Sequence, residues 1–119
     1  MKITGKQFRK MVVSAANALD NNQSKINDMN VFPVPDGDTG LNMSMTLSTV
    51  TESKGEEPIG EAASAIASAA LRSARGNSGV ILSLFFRGMG KALKDVKTAD
   101  CVDLARGFRG GATEAYRAV

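Results

Sequence analysis

Apolar residues recur at helical spacing along nearly the whole chain. Thr4 and Gln7 are spaced as a capping box, with Ile3 and Phe8 placed for a hydrophobic staple beside it. Phe8, Met11, Val12, Ala15 and Leu19 then form one stripe, which predicts a helix to about Asp20. Asn21 and Asn22 interrupt it. A short helix is expected from about Gln23 to Met29, burying Ile26 and Met29. A third starts near Thr39-Gly40, with Met43, Leu47 and Val50 on one face. A turn at residues 54–57 leads to a fourth, where Pro58 suits the first turn and Glu61 the positive end of the dipole. Ile59, Ala63, Ile66 and Ala70 continue its stripe, and Gly76 is expected to end it as a C-cap glycine.

The next helix is predicted to open at Asn77-Ser-Gly. It is apolar nearly all round from Val80 to Phe86, which predicts the central and most buried helix. A last helix is expected from an N-cap near Thr98, with Val102, Ala105, Phe108, Ala112, Tyr116 and Val119 on one face. That stripe reaches Val119 with no cap, Gly or Pro, so the chain reads as the N-terminal part, residues 1–119, of a domain cut within or just after a helix. The expected fold class is therefore all-α, without repeats, low-complexity tracts or a convincing strand.

Composition narrows the chemistry. With 119 residues, 43% hydrophobic, 5% aromatic and no Trp, the chain is at most one soluble domain with an aliphatic core. The charge of +3 is scattered, and no basic stretch interleaved with aromatics marks a nucleic-acid platform. No His is present, which excludes a histidine general base, a His–Cys zinc site and an imidazole triad within this chain. The one cysteine, Cys101, cannot form an intrachain disulfide and fits a reducing compartment. No signal peptide is evident, and the apolar run from Val80 to Phe86 is too short to span a bilayer, so no membrane span and a cytoplasmic location are expected.

Two constellations carry candidate chemistry. Between Asn30 and Gly40, Asp36 and Asp38 are separated by one glycine, with Pro33 and Pro35 before them. Carboxylates this close repel each other, and a hard divalent cation is the natural counter-charge. Gly37 lets the chain turn, and the helix start at Thr39-Gly40 offers N–H groups and partial positive charge to a phosphate. Asp-Gly also makes common surface turns. The second is Ala74-Arg-Gly-Asn-Ser-Gly-Val80, where Ser78 offers a hydroxyl and the N–H groups of Ser78, Gly79 and Val80 stand at a helix start. It reads either as a phosphate cradle or as an ordinary helix-to-helix turn. Together they suggest a bound magnesium nucleotide. The spacing is neither an EF-hand, which would need Gly at Leu41 and Glu at Leu47, nor a Walker A loop, since Gly90-Lys91 is followed by Ala92.

Asn-Val-Phe-Pro-Val-Pro-Asp-Gly-Asp-Thr-Gly-x-Asn-Met, followed by Ala-Arg-Gly-Asn-Ser-Gly-Val-Ile-Leu-Ser, closely resembles the ATP-binding L-type domain of the dihydroxyacetone kinase superfamily. Within it, the chain looks most like the N-terminal domain of the bacterial fatty acid kinases. The resemblance implies an antiparallel helical barrel or bundle, of which this chain would supply roughly the first five or six helices. It implies ATP and two Mg2+ ions as ligands. Asp36 and Asp38 match the metal-holding carboxylates, and Asn30 matches a third ligand that is an aspartate in the dihydroxyacetone kinases. Thr39 stands where those sugar kinases carry His, which argues for the fatty acid branch. Asn42 and Ser78 match phosphate-contacting positions, and Thr39, Gly40 and Gly79 belong to the same nucleotide loops. Leu41, Met43 and Leu82 line either the adenine or ordinary core.

The implied activity is transfer of the ATP γ-phosphate to a fatty acid carboxylate presented by a separate fatty-acid-binding protein, giving acyl phosphate for phospholipid synthesis. A homo-oligomer formed through the full-length protein is expected, and the fragment alone is expected to be inactive. The competing readings are a dihydroxyacetone-type sugar kinase subunit, a non-catalytic magnesium-nucleotide regulator and a helical interaction module.

Overall fold

The capping box at the N-terminus forms. Gln7 N–H donates to Thr4 Oγ1 at 3.1 Å, and Thr4 N–H donates to Gln7 Oε1 at 2.9 Å. In the computed structural model, which describes residues 1–31, 37–53 and 55–118, that box opens α1, Gly5–Asn21. There follow α2, Gln23–Asp28, and α3, Thr39–Thr46. Next come α4, Ile59–Ser73, α5, Gly76–Ala92, and α6, Cys101–Tyr116. The protein is all-α. The one extended pairing among the described residues is a single antiparallel bridge, where Ile3 N–H donates to Ala99 O at 2.8 Å and Ala99 N–H to Ile3 O at 2.9 Å. No described helix is long and apolar enough to cross a membrane.

Helix α5 packs between α4 and α6 and also touches α3, while α1 packs on α4, α3 and α2. The turn at residues 74–75 is too short for anything but an antiparallel α4–α5 pair. The deepest layer is nevertheless α4. Ile59, Ala63, Ile66 and Ala70 are all fully buried, as the stripe predicted, and Ala62 is buried with them. Burial of a side chain the size of Ile59 or Ile66 contributes about 1.5–3 kcal/mol. The all-round apolar character of α5 does not make it the most buried helix, because Val80 stays 41% exposed. Its inward face is instead Ser83, Phe86 and Met89, with Gly79, Gly88 and Gly90.

Other faces also differ from the pattern. On α1 the buried residues are Phe8 and Val12, with Val13, Ala16 and Leu19 packed beside them, while Met11 and Ala15 are exposed. Helix α2 ends at Asp28, only half-buries Ile26 and leaves Met29 exposed, because one short turn reaches no further than the start of α3. Helix α4 ends at Ser73, so Gly76 is the first residue of α5 and not a C-cap.

The largest departure is α6. Its N-cap is Asp100, whose carboxylate accepts the Asp103 N–H at 2.8 Å, so Thr98 lies outside the helix. The predicted stripe is not the packed face: Val102, Ala105, Phe108 and Tyr116 are exposed, Ala112 is half-buried and Val119 lies outside the described residues, whereas Gly107 and Gly111 are buried. The reason is close approach. A Cβ at Gly88 would lie 2.2 Å from Gly110 O, and one at Gly111 would lie 2.7 Å from the Phe85 ring. A glycine row lets the α6 backbone reach α5, which no apolar side chain on that face would permit. Phe85 then stacks on Phe108, with centroids 6.0 Å apart, and Lys91 pairs with Glu114 at 2.9 Å.

The segment before α4 is fastened to α1 by a charge cluster. Arg9 pairs with Glu57, Ser53 Oγ donates to the same carboxylate, and an Arg9 guanidinium N–H donates to Thr51 O at 3.2 Å. Burial pushes the Glu57 carboxyl up, but the Arg9 and Ser53 hydrogen bonds and the Arg9 charge outweigh it and hold it below its ordinary value.

Two tests follow from this packing. Gly88→Ala adds helix propensity yet should destabilise the protein by about 1–3 kcal/mol, because the new methyl meets α6 backbone; chemical denaturation followed by circular dichroism measures it. Folded Glu57 binds its proton less readily than unfolded Glu57. Its contribution is therefore complete above the ordinary carboxylate pKa of about 4.3 and lost as pH falls through the lower folded value. Glu57→Gln should cost about 1 kcal/mol at neutral pH and flatten the acid limb of a stability–pH profile.

Candidate functional site

The start of α3 is built by two asparagines from the preceding segment. Asn30 Oδ1 accepts Asp38 N–H at 3.1 Å and Thr39 N–H at 3.3 Å. Asn27 Oδ1 accepts Leu41 N–H at 3.1 Å. Close packing helps, since a Cβ on buried Gly40 would lie 2.5 Å from Gln23 O. The expected free donors of this helix start are therefore largely taken by side-chain amides. What the turn does present is Asp38, half-buried at the N-cap position, one residue after Gly37 at φ +66°. Asp36 lies outside the described residues. Among the described residues, no group of three or more His, Cys, Asp or Glu could hold a metal ion. The Asp38 carboxylate is the hard oxygen donor that magnesium takes. Asn30 Oδ1 would have to leave the two N–H groups it accepts before it ligated a metal.

The second constellation is the turn from α4 into α5. Helix α5 opens at Gly76, one residue before the expected start, and Gly79 N–H already donates to Arg75 O at 3.2 Å. The donors at the start of α5 are thus those of Gly76, Asn77 and Ser78; Gly79 and Val80 lie within the helix. Ser78 is half-buried, and Arg72 and Arg75 are exposed.

The fold brings the two constellations into contact. Gly76 sits at φ +67°, and a Cβ there would lie 2.4 Å from Asn42 Nδ2. Only glycine meets both demands. One turn further along each helix, a Cβ on Gly79 would lie 2.3 Å from Thr46 Oγ1. Asn42 in turn follows Asp38 by one helical turn, its N–H donating to Asp38 O at 2.9 Å. Asp38, Asn42 and Thr46 therefore stand along one line of α3, with its lower part against the 76–79 segment. Of the residues proposed to line adenine, Leu41 is on the surface, Met43 is half-buried and Leu82 packs against the core.

Two residues of this arrangement escape sequence reasoning, Asn27 and Thr46. Thr46 had a visible signal, a hydroxyl two turns after Asp38 on the same line. Asn27 had none beyond its position ahead of the proline-rich loop. A groove of about 480 Å³ lies between α4 and α5, lined by residues such as Ala67, Leu71, Leu84 and Arg87; of the second motif only its last residue, Ser83, reaches it, and none of the candidate site residues does.

Comparison with known proteins gives the family. The DAK2 domain matches residues 33–119. An uncharacterized protein of Staphylococcus saprophyticus is 40% identical over 99% of this chain, and one of Staphylococcus aureus strain USA300 is 41% identical over 99%. Protein YloV of Bacillus subtilis is 39% identical over 98%. The chain spans about a fifth of the length of these relatives, 22% in each case. With the family match covering most of the chain and all six helices in place, the chain belongs to the DAK2-domain family of the dihydroxyacetone kinase superfamily.

Proposed function

We propose that this chain is the nucleotide-binding part of a kinase that moves the ATP γ-phosphate to a fatty acid carboxylate. The observation that carries the nucleotide reading is the seating of Asn42 against Gly76. It joins the segment bearing Asp38 to the segment bearing Ser78, so an acidic metal-type group and a hydroxyl at a helix start share one neighbourhood. Asp36 and Asp38 would hold Mg2+, and the bound ions would neutralise charge on the phosphates. Asn30 orients Asp38 through its N–H, and serves as a third ligand only on releasing that bond. Thr39, Gly40 and Asn42 form the α3 side of the phosphate site. Ser78 and the N–H groups at the start of α5 form the other side, and Gly79 lets the two come close.

The acceptor suits this residue set. A fatty acid carboxylate is already ionised at neutral pH, so no general base is needed and a chain without His is not handicapped. One carboxylate oxygen forms a bond to the γ-phosphorus as the bond to ADP breaks, leaving acyl phosphate. Catalysis then rests on positioning and charge neutralisation. Thr39, found where the sugar kinases of the superfamily carry His, favours the fatty acid over dihydroxyacetone. In this reading a separate lipid-binding protein presents the acid, the full-length protein is a homo-oligomer and the reaction is cytoplasmic.

Calorimetry of magnesium-ATP binding separates this reading from a purely structural module, and acyl-phosphate formation separates it from a silent regulator. In the full-length protein, Asp38→Ala should abolish acyl-phosphate formation while leaving the helical circular dichroism unchanged, since Asp38 sits outside the core. Turnover at the unmodified rate by that variant would end the assignment. Ser78→Ala should weaken ATP by about 0.5–3 kcal/mol, as for one hydrogen bond to a charged group, with a smaller effect on stability. Unchanged ATP affinity would reduce the 74–80 segment to a turn.

A further inference from the structure

Beside the Asn42–Gly76 contact, a second side chain, that of Thr46, links helix α3 to the 74–79 segment. Thr46 is fully buried. Its hydroxyl donates to Asn42 O at 2.7 Å within α3 and accepts Arg75 N–H at 3.2 Å from the α4–α5 turn. Its Oγ1 also fills the space that a Cβ on Gly79 would need. A buried hydroxyl is costly unless bonded, and a valine of the same shape would fill the site without that demand. The bond to Asn42 O is the ordinary back-bond of a helical threonine and explains nothing beyond α3. The bond from Arg75 N–H leaves the helix and ties it to the turn. Asn42, whose carbonyl takes the hydroxyl proton, is also the residue whose side chain meets Gly76.

We infer that Thr46 is a positioning residue. It holds the α3 line of Asp38 and Asn42 in register with the turn bearing Gly76 and Ser78, so that one magnesium nucleotide touches both, a role that rests on the nucleotide reading above. Thr46 touches no reacting atom in this account and acts through Asn42 and Arg75.

The test compares Thr46→Val, which keeps the shape and removes the hydroxyl, with Thr46→Ser, which keeps the hydroxyl and removes a methyl. Magnesium-ATP affinity is measured by calorimetry in the full-length protein, well below the unfolding temperature of every variant. Positioning expects Val to bind about tenfold more weakly, the equivalent of one lost hydrogen bond, and Ser to stay within about twofold of the unmodified protein. A mere packing role expects the opposite order, with Ser the weaker binder. Val binding like the unmodified protein, or Ser as weak as Val, would overturn the inference while leaving the proposed function standing. An unmodified protein that does not bind magnesium-ATP would overturn both. Should Thr46→Val fail to fold, Gly79→Ala tests the same junction from the other side, since its methyl would push the turn off Thr46. About a tenfold loss of affinity is expected there, and unmodified affinity would overturn the inference.

Discussion

Helices in this protein meet at their backbones, and the rest of the structure depends on that. Gly88 faces the carbonyl of Gly110, Gly60 faces the carbonyl of Leu93, and alanines line the buried face of α4. The aromatic content is too low to build a core from large rings. Cohesion comes instead from short interhelical distances, where many weak dispersion contacts and a few fully buried aliphatics add up. Such packing leaves little freedom, because a single methyl at a crossing point meets a main-chain atom that cannot turn aside.

The candidate site uses the same device for another end. Gly76 and Gly79 bring the start of α5 against Asn42 and Thr46, and the missing side chains make room for polar groups. Those polar groups are satisfied. Thr46 uses its hydroxyl in both directions, and no side-chain N or O atom that is buried among the described residues lacks a partner. Asn27 and Asn30 do likewise for the first N–H groups of α3. A site held by satisfied bonds at close range is preorganised, which is what the proposed phosphoryl transfer would require.

Much of the helix order was legible because it rests on local rules. The α1 capping box, the start of α3 at Thr39 and the stripe Ile59, Ala63, Ile66, Ala70 of α4 all follow from spacing that the folded chain keeps. Faces were less legible where glycine competes with apolar residues. In α6 the apolar stripe is conspicuous and mostly exposed, while glycines that the apolar pattern passes over carry the contact. A hydrophobic count assigns glycine no value, yet absence of a side chain is what a backbone crossing needs. Met29 and Met11 were also misplaced, since both lie at helical spacing with apolar neighbours and are exposed.

The sequence by itself determined the helical class and the two chemical motifs, because helix propensity, capping and the Asp-Gly-Asp and Gly-Asn-Ser-Gly spacings act over a few residues. Tertiary structure alone decided that those motifs touch, through Asn42 on Gly76 and Thr46 between Asn42 and Arg75. Those contacts join positions about thirty residues apart, and no local rule specifies them. They arise when α3 and α5 pack, and packing is settled by which pair of surfaces can approach closely with every polar group paired.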